Sequence, residues 1–424
     1  RYRTPNMERL ADEGMMFTQA YACSVCSPSR ISLMSGMNAA RHKVTNWTLR
    51  KNSSPDRNHP KIEPPAWNVN GMAMEPGTER TLVAATFPAI LRKAGYRTIH
   101  VGKAHFGAQD TPGADPCNLG FDVNIGGHHA GGPGSYHGEN NFSAAWRNGG
   151  HIWDVPGLEA YHGRDVYLTE ALTIEAKKAL DEAVKLGKPF YLYLSHYAVH
   201  APWEQDPRFI KTYTDMGLEG LPAIYASMIE GMDKSLGDIM DHLDELGVAE
   251  NTVVIFMTDN GCPKNLPRNK PLRGHKISAY EGGARVPLIV KWPGVVKPGC
   301  ACRDDYVIIE DIFPTLLEMA GIEDYIQPGG KIDGVSWLPL LKQKSGYPSD
   351  RAIFWHFPHT YDQPAYSSVR QGDWKLIYWH ATRARELFNL KDDIGEQKDL
   401  AATKPQKLTE LSAVLGRHLR DCNA

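Results

Sequence analysis

The 424-residue chain exceeds the roughly 250–300 residues at which one hydrophobic core stops growing, so two domains are expected. Its 47 basic and 49 acidic residues leave a formal charge of -2, which gives no basic field for nucleic acid. No apolar run reaches the ~18 residues of a membrane span, and 39 Gly and 29 Pro beside 10 Trp and 18 Tyr indicate ordered loops around a sizeable core.

Thr4-Pro5 reads as N-cap and first helical residue of a helix through Met7, Leu10 and Ala11 that stops at Gly14. A second helix is predicted over 81–94, ending at Gly95, followed by a strand in "YRTIHVGK" (96–103). A helix over 165–187 leads through Pro189 into "FYLYLSHY" (190–197), whose apolar run predicts a buried strand. The helical spacing of Ile224, Met228, Met232, Leu236, Ile239 and Leu243 marks a long helix over 222–247. Two more buried strands follow, "NTVVIFMTDNG" (251–261) and "VPLIVKWPG" (286–294). Helix and buried strand alternate, which predicts an α/β fold with a doubly wound, mostly parallel sheet flanked by helices.

Past Pro348 the texture changes to short alternating strands, "AIFWHF" (352–357), "AYSSVRQGDWKLIYW" (365–379) and "ARELFNL" (384–390), and a last helix over 404–420. We expect a main domain over 1–347 and a C-terminal α+β subdomain over 348–424, built on a short antiparallel sheet. Ligands of doubly wound sheets bind at carboxyl ends of strands, where Lys103, His105, His196, His200, Asp259 and Asn260 fall. For any one of these a solvated loop position is the ordinary explanation; six at the ends of three strands suggest a site.

Seven cysteines (23, 26, 117, 262, 300, 302, 422) are too few and too scattered for a disulfide scaffold. In "CSVCSPSRISLMSG" (23–36), zinc would need a second Cys/His pair at matching spacing, and none is present. A redox pair does not account for Pro28 and Arg30 after the second cysteine, and a buried inert thiol leaves them unexplained.

Cys26-Ser27-Pro28-Ser29-Arg30 resembles the Cys-x-Pro-x-Arg signature of formylglycine-dependent sulfatases, members of the alkaline-phosphatase-like superfamily. "TPNMERLADEGMMFTQAY" before it, "ISLMSGMNAARH" after it, and then "GKAHFG" (102–107), "AVHAPW" (198–203), "TDNG" (258–261) and "HKISAYEGGARVP" (275–287) follow the family's blocks in order. "VRQGDWKLI" and "ELFNLKDDIGEQKDLA" look like its C-terminal subdomain, so the resemblance covers nearly the whole chain.

The resemblance implies hydrolysis of a sulfate monoester by a formylglycine hydrate, generated from Cys26 by a sulfatase-maturing enzyme. Cleaving such an anion calls for a cationic cradle and a metal. By the same likeness Arg30, one helical turn after Cys26, fixes the hydrate, and Lys103 and Lys276 grip the sulfate. His200 protonates the leaving oxygen, assisted by Lys276, and His105 removes the second hydrate proton to expel sulfate. Asp259, Asn260 and residue 26 are expected on Ca²⁺, with Mg²⁺ as the alternative. His196 matches no position of the family and is expected to be packed or hydrogen-bonded.

Arg1-Tyr2-Arg3 carries neither Met nor an apolar leader segment. An upstream strand ending in two aspartates is expected to complete the metal site. Two segments are candidate sugar-binding loops: 126–142, with His128 and His129, and 355–370, with Trp355, His356, His359 and Arg370. Their aromatic and polar mixture, with a likeness to bacterial polysaccharide sulfatases, suggests an exo-acting carbohydrate sulfatase on galactose-type sugars, periplasmic or secreted. The rivals are a phosphonate or phosphate monoesterase of the same superfamily, an inactive sulfoglycan-binding homologue, and a redox protein using Cys23 and Cys26.

Overall fold

A computed structural model describes residues 2–266, 269–322 and 331–424. The first helix, α1 (Pro5–Asp12), starts at the expected proline, but Thr4 makes no side-chain cap. The orphan amides of its first turn go instead to Asp233 on the helix Gly220–Glu245, whose carboxylate accepts from Asn6 N at 3.1 Å and Met7 N at 2.8 Å. The chain then enters the strand β1 (Met15–Tyr21) and turns into α2 (Cys26–Ser35), every residue of which is buried.

The predicted helix over 81–94 is shorter. Met72–Ala73 (β2) pairs in parallel with Leu82–Val83 (β3), and the helix begins only at Phe87 and ends at Lys93. The reason is local: Thr86 caps the Ala89 amide, and Pro88 fits only a first turn. The expected strand is β4 (Arg97–Gly102), flanked in parallel by β5 (Val123–Ile125) and β6 (Phe190–Ser195).

The other sheet is mixed. β1 pairs antiparallel with β8 (Arg285–Lys291) and in parallel with β9 (Cys300–Cys302) and β10 (Val307–Ile308), while β7 (Val254–Met257) joins β8 antiparallel. The fold is thus α/β, with an antiparallel strand inside the sheet that no sequence pattern announced. β6 and β7, predicted as buried strands, are largely half-buried; among the described strands each pairs along one edge only.

The C-terminal sheet runs β11 (Ala352–Phe357), β12 (Tyr366–Gln371), β13 (Trp374–Trp379) and β14 (Arg385–Asn389), antiparallel throughout. Its alternation splits two cores. Val369, Leu376 and Leu387 meet Leu411 and Leu415 of the last helix, Pro405–Asp421. Trp355, Tyr366, Ile377 and Phe388 join the core built on β1 and α2.

Candidate active site

Cys26 is the first residue of α2, and its neighbour Val25 is extended and supplies no side-chain cap. The helix amides and dipole therefore favour a negative charge at this end. Ser29 Oγ lies 2.5 Å from the Asp259 carbonyl and 3.1 Å from that of Val25, tying the first turn of α2 to the loop after β7. One turn past Cys26, Arg30 donates through Nε to Asp259 Oδ2 at 2.8 Å and through Nη1 to the Lys103 carbonyl at 2.5 Å. Lys103 Nζ is 3.5 Å from the same Asp259 oxygen. Gly102 lets the chain turn here: its φ is 101°, and a Cβ would lie 2.1 Å from the Ser195 carbonyl.

Cys26, Arg30, Lys103 and His105 are all at most 5% exposed. Burial would raise the Cys26 thiol, but Lys103, Lys276 and His105 together hold it well below its ordinary value. Burial pulls the Lys103 ammonium down, opposed by Cys26 and Asp259. The same surroundings hold the Asp259 carboxyl far below its usual range, because Lys103, Arg30 and Lys276 outweigh its burial. The cluster is a cationic pocket around residue 26, with one carboxylate as its anchor.

Two histidines flank it. His105 Nε2 donates to the Thr48 carbonyl at 2.7 Å, which fixes the tautomer and leaves Nδ1 to carry the lone pair when the ring is neutral. That Nδ1 is buried without an ordinary hydrogen-bond partner. His200 Nδ1 donates to the Ala201 carbonyl at 2.8 Å, so Nε2 is its free nitrogen. Burial and then the charges of Lys276 and Lys103 hold His200 well below 6.5. Lys276 is positioned by its backbone, which donates to the Cys262 carbonyl, while Ile277 N donates to that of Ser24. Sequence reasoning missed Ser29 and Thr48 as positioning groups. Ser29 lay in plain view inside the motif, whereas nothing in the sequence marked Thr48.

Comparison with known proteins accords with this geometry. A family profile described as Sulfatase matches residues 1–322, and another, described as N-sulphoglucosamine sulphohydrolase, C-terminal, matches 275–424. The chain belongs to the sulfatase family. It is a sulfuric ester hydrolase. It is 29% identical to a sulfatase of Formosa agariphila, over 99% of this chain and 83% of that one. It is 30% identical to the N-acetylgalactosamine-6-sulfatase of Mus musculus, over 98% and 75%. The structure of Ps i-CgsB in complex with k-i-k-neocarrahexaose superimposes with a TM-score of 0.78 at 24% identity, covering 98% and 87%; at that identity the likeness is one of fold.

In this sulfatase the structure separates residues that the sequence grouped. Arg370 is not available to a substrate. It is 2% exposed, and its guanidinium is spent on the Tyr21 hydroxyl, Gln19 Oε1 at 2.5 Å and the Gly372 carbonyl at 3.0 Å, with the Tyr306 ring 4.2 Å away. His356 is 8% exposed, sits 2.8 Å from Ser367 Oγ inside the C-terminal sheet, and is held well below its ordinary value by burial first and then by its neighbours His380, His359 and Lys43. Both are corrections: a polar side chain on an alternating strand points inward as readily as outward, and these two point inward. His359 is likewise fully buried, between Thr45 and Asp56.

The 126–142 segment is largely buried and is not a surface loop. His129 Nε2 donates to the Ile152 carbonyl, and His128, 8% exposed, is held down to about 3 by burial. His129 is thus engaged through Nε2, while Nε2 of His128 is buried without a hydrogen-bond partner. His196 is packed, as expected, with Nε2 2.8 Å from Ser235 Oγ.

All seven cysteines are free thiols. Cys23 is pushed up to about 12 by burial while Lys103, Lys276 and His105 pull Cys26 down, so the two thiols sit in opposite electrostatic surroundings. Among the described residues no three His, Cys, Asp or Glu side chains gather as a metal cluster. Asn260 Oδ1 is buried and accepts no hydrogen bond, although its Nδ2 donates to the Gly261 carbonyl. Together with Asp259 it fits a hard cation by donor type and supplies only part of the six to eight oxygens that Ca²⁺ takes. No described helix is long and apolar enough to cross a membrane.

Proposed function

We propose that the chain hydrolyses O-sulfate monoesters of carbohydrates, galactose-type sugars foremost, through a formylglycine formed from Cys26 by a maturing enzyme. The observation that carries this is the convergence of Lys103, Lys276 and His105 on residue 26 at the positive end of α2. The hydrated aldehyde supplies the attacking oxygen. Lys103 and Lys276 bind the sulfate oxygens and offset their charge. Arg30, locked by Asp259 and the Lys103 carbonyl, orients residue 26. His105 accepts a proton at Nδ1, the nitrogen its Thr48 contact leaves open. His200 delivers one at Nε2 to the leaving oxygen. In the free site burial and the two lysines keep that nitrogen unprotonated at neutral pH, and a bound sulfate offsets their charge and lets it take the proton. Asp259 and Asn260 would hold Ca²⁺ or Mg²⁺, whose charge would acidify the nucleophile and neutralise the ester.

The sugar class is supported by the name of the mouse relative and by the k-i-k-neocarrahexaose with which the similar Ps i-CgsB structure is in complex. Such substrates are met outside the cytoplasm, and a periplasmic or secreted location goes with this reading. The test is co-expression with a maturing enzyme, peptide mass analysis at residue 26, and release assays on sulfated galactose and N-acetylgalactosamine against aryl phosphate and phosphonate. Aldehyde mass with sulfate release is expected; a thiol at residue 26 with full turnover, or preference for the phosphorus esters, would overturn it.

A further inference from the structure

Gly131 and Gly132 lie in the buried segment 126–142, and each touches a different histidine. A Cβ on Gly131 would stand 2.3 Å from Cε1 and 2.5 Å from Nδ1 of His105. A Cβ on Gly132 would stand 2.6 Å from Nδ1 of His200 and 2.9 Å from the Ala201 carbonyl. Neither glycine has a positive φ, so the backbone does not demand glycine here. The imidazoles do, joined at Gly132 by the Ala201 carbonyl. The atoms met are also the ones that matter: the open nitrogen of His105, and the donor and acceptor of the hydrogen bond that aims His200.

The segment is fastened on both sides of this pair. Upstream, the His128 carbonyl accepts from His105 N at 3.1 Å. Downstream, Glu204 Oε2 accepts from Ser135 Oγ at 2.8 Å and Tyr136 N at 2.6 Å. The Tyr136 hydroxyl donates to the His200 carbonyl at 2.8 Å, and the Tyr167 hydroxyl to the Glu204 carbonyl at 2.7 Å. Glu204 therefore clasps the glycine segment to the loop that bears His200.

We infer that Gly131-Gly132 is a positioning pair that sets the two imidazoles of the reaction against residue 26, with Glu204 as its clasp. This rests on the roles proposed above for His105 and His200. Gly131 acts on the nitrogen that takes a proton from residue 26. Gly132 acts on the ring that serves the leaving oxygen. Their effects should therefore differ by leaving group.

The experiment compares the matured enzyme with Gly131→Ala, Gly132→Ala, Glu204→Gln and Gly150→Ala, the last a control because a Cβ there meets nothing within 4 Å. Each is assayed on a sugar sulfate and on nitrophenyl sulfate, and ¹⁵N-histidine spectra are recorded without substrate. Gly132→Ala should lower kcat on the sugar sulfate at least tenfold more than on nitrophenyl sulfate, with KM little changed. Gly131→Ala should lower both alike and shift the His105 nitrogens. Glu204→Gln, which keeps the shape of the clasp, should reproduce the leaving-group bias in weaker form and carries the test if an alanine variant does not fold. Unaltered imidazole spectra, or losses with the same ratio on both substrates in Gly132→Ala and Glu204→Gln, would overturn the inference. A matured wild type inert on every sulfate ester would instead overturn the proposed function, with the spectral comparison still able to judge the positioning.

Discussion

Arg30 and Lys103, both buried, share one oxygen of the half-buried Asp259. Removing one partner of such a set leaves uncompensated buried charge, which costs about 3–5 kcal/mol. Asp259→Asn should therefore lower stability by that order in denaturant unfolding as well as turnover; unchanged stability would mean the cations find other partners. Residue 26 behaves differently, since its neighbours stabilise an anion rather than a fold. Cys26→Ala should abolish sulfate release while melting and circular dichroism stay near wild type. For His200 the sign follows from its surroundings: burial and two ammonium groups lower its pKa, so removing one ammonium must raise it. In Lys276→Gln, and in the wild type with inorganic sulfate, His200 should titrate at higher pH by NMR. A titration that does not move would show that Lys276 does not face this ring.

At the scale of elements, two joints are made by residues that look like site residues or like nothing in particular. Asp233 caps α1 from another helix, accepting from Asn6 and Met7. Asp233→Ala should cost about 0.5–2 kcal/mol, the range of a lost N-cap, with kinetics unaffected. Arg370 joins β12 to β1 through Gln19 and Tyr21. Arg370→Met should cost about 1.5–3 kcal/mol, the worth of hydrogen bonds to a charged group, and leave KM for sugar sulfates unchanged. A raised KM with intact stability would return Arg370 to the substrate.

Across the whole molecule the buried histidines set a pH dependence. His42, His100 and His128 are each held down to about 3 by burial, against about 6.5 when unfolded. The unfolded chain binds these protons first, so the stability they provide is complete above about pH 6.5 and is lost as pH falls towards 3. Each can contribute up to about 1.4 kcal/mol per pH unit across that window. Thermal unfolding between pH 7 and pH 4 should show a falling Tm, and His100→Asn should flatten the fall; an unaltered slope would mean this ring is reached by water.

The amino-acid sequence by itself determined the family, the identity of the residues around Cys26 and the alternation of helix and strand, because these rest on local spacing: an (i, i+4) pair on one helix, apolar runs, a cap and a proline. It could not determine which strand lies beside which, so β8 running antiparallel between β1 and β7 came only with the tertiary structure. The same holds for side-chain direction on the C-terminal sheet, where a period of two gives two faces without naming the buried one, and His356 and Arg370 were misread as substrate groups for that reason. Helix boundaries at Thr86 and Asp233 show the two regimes side by side: the first is written in neighbouring residues, the second is supplied by a helix more than 200 positions away. Thr48, Gly131 and Gly132 belong wholly to the second regime. A carbonyl and two missing Cβ atoms have no sequence signature, and they acquire a role only where folding sets them against the imidazoles of His105 and His200.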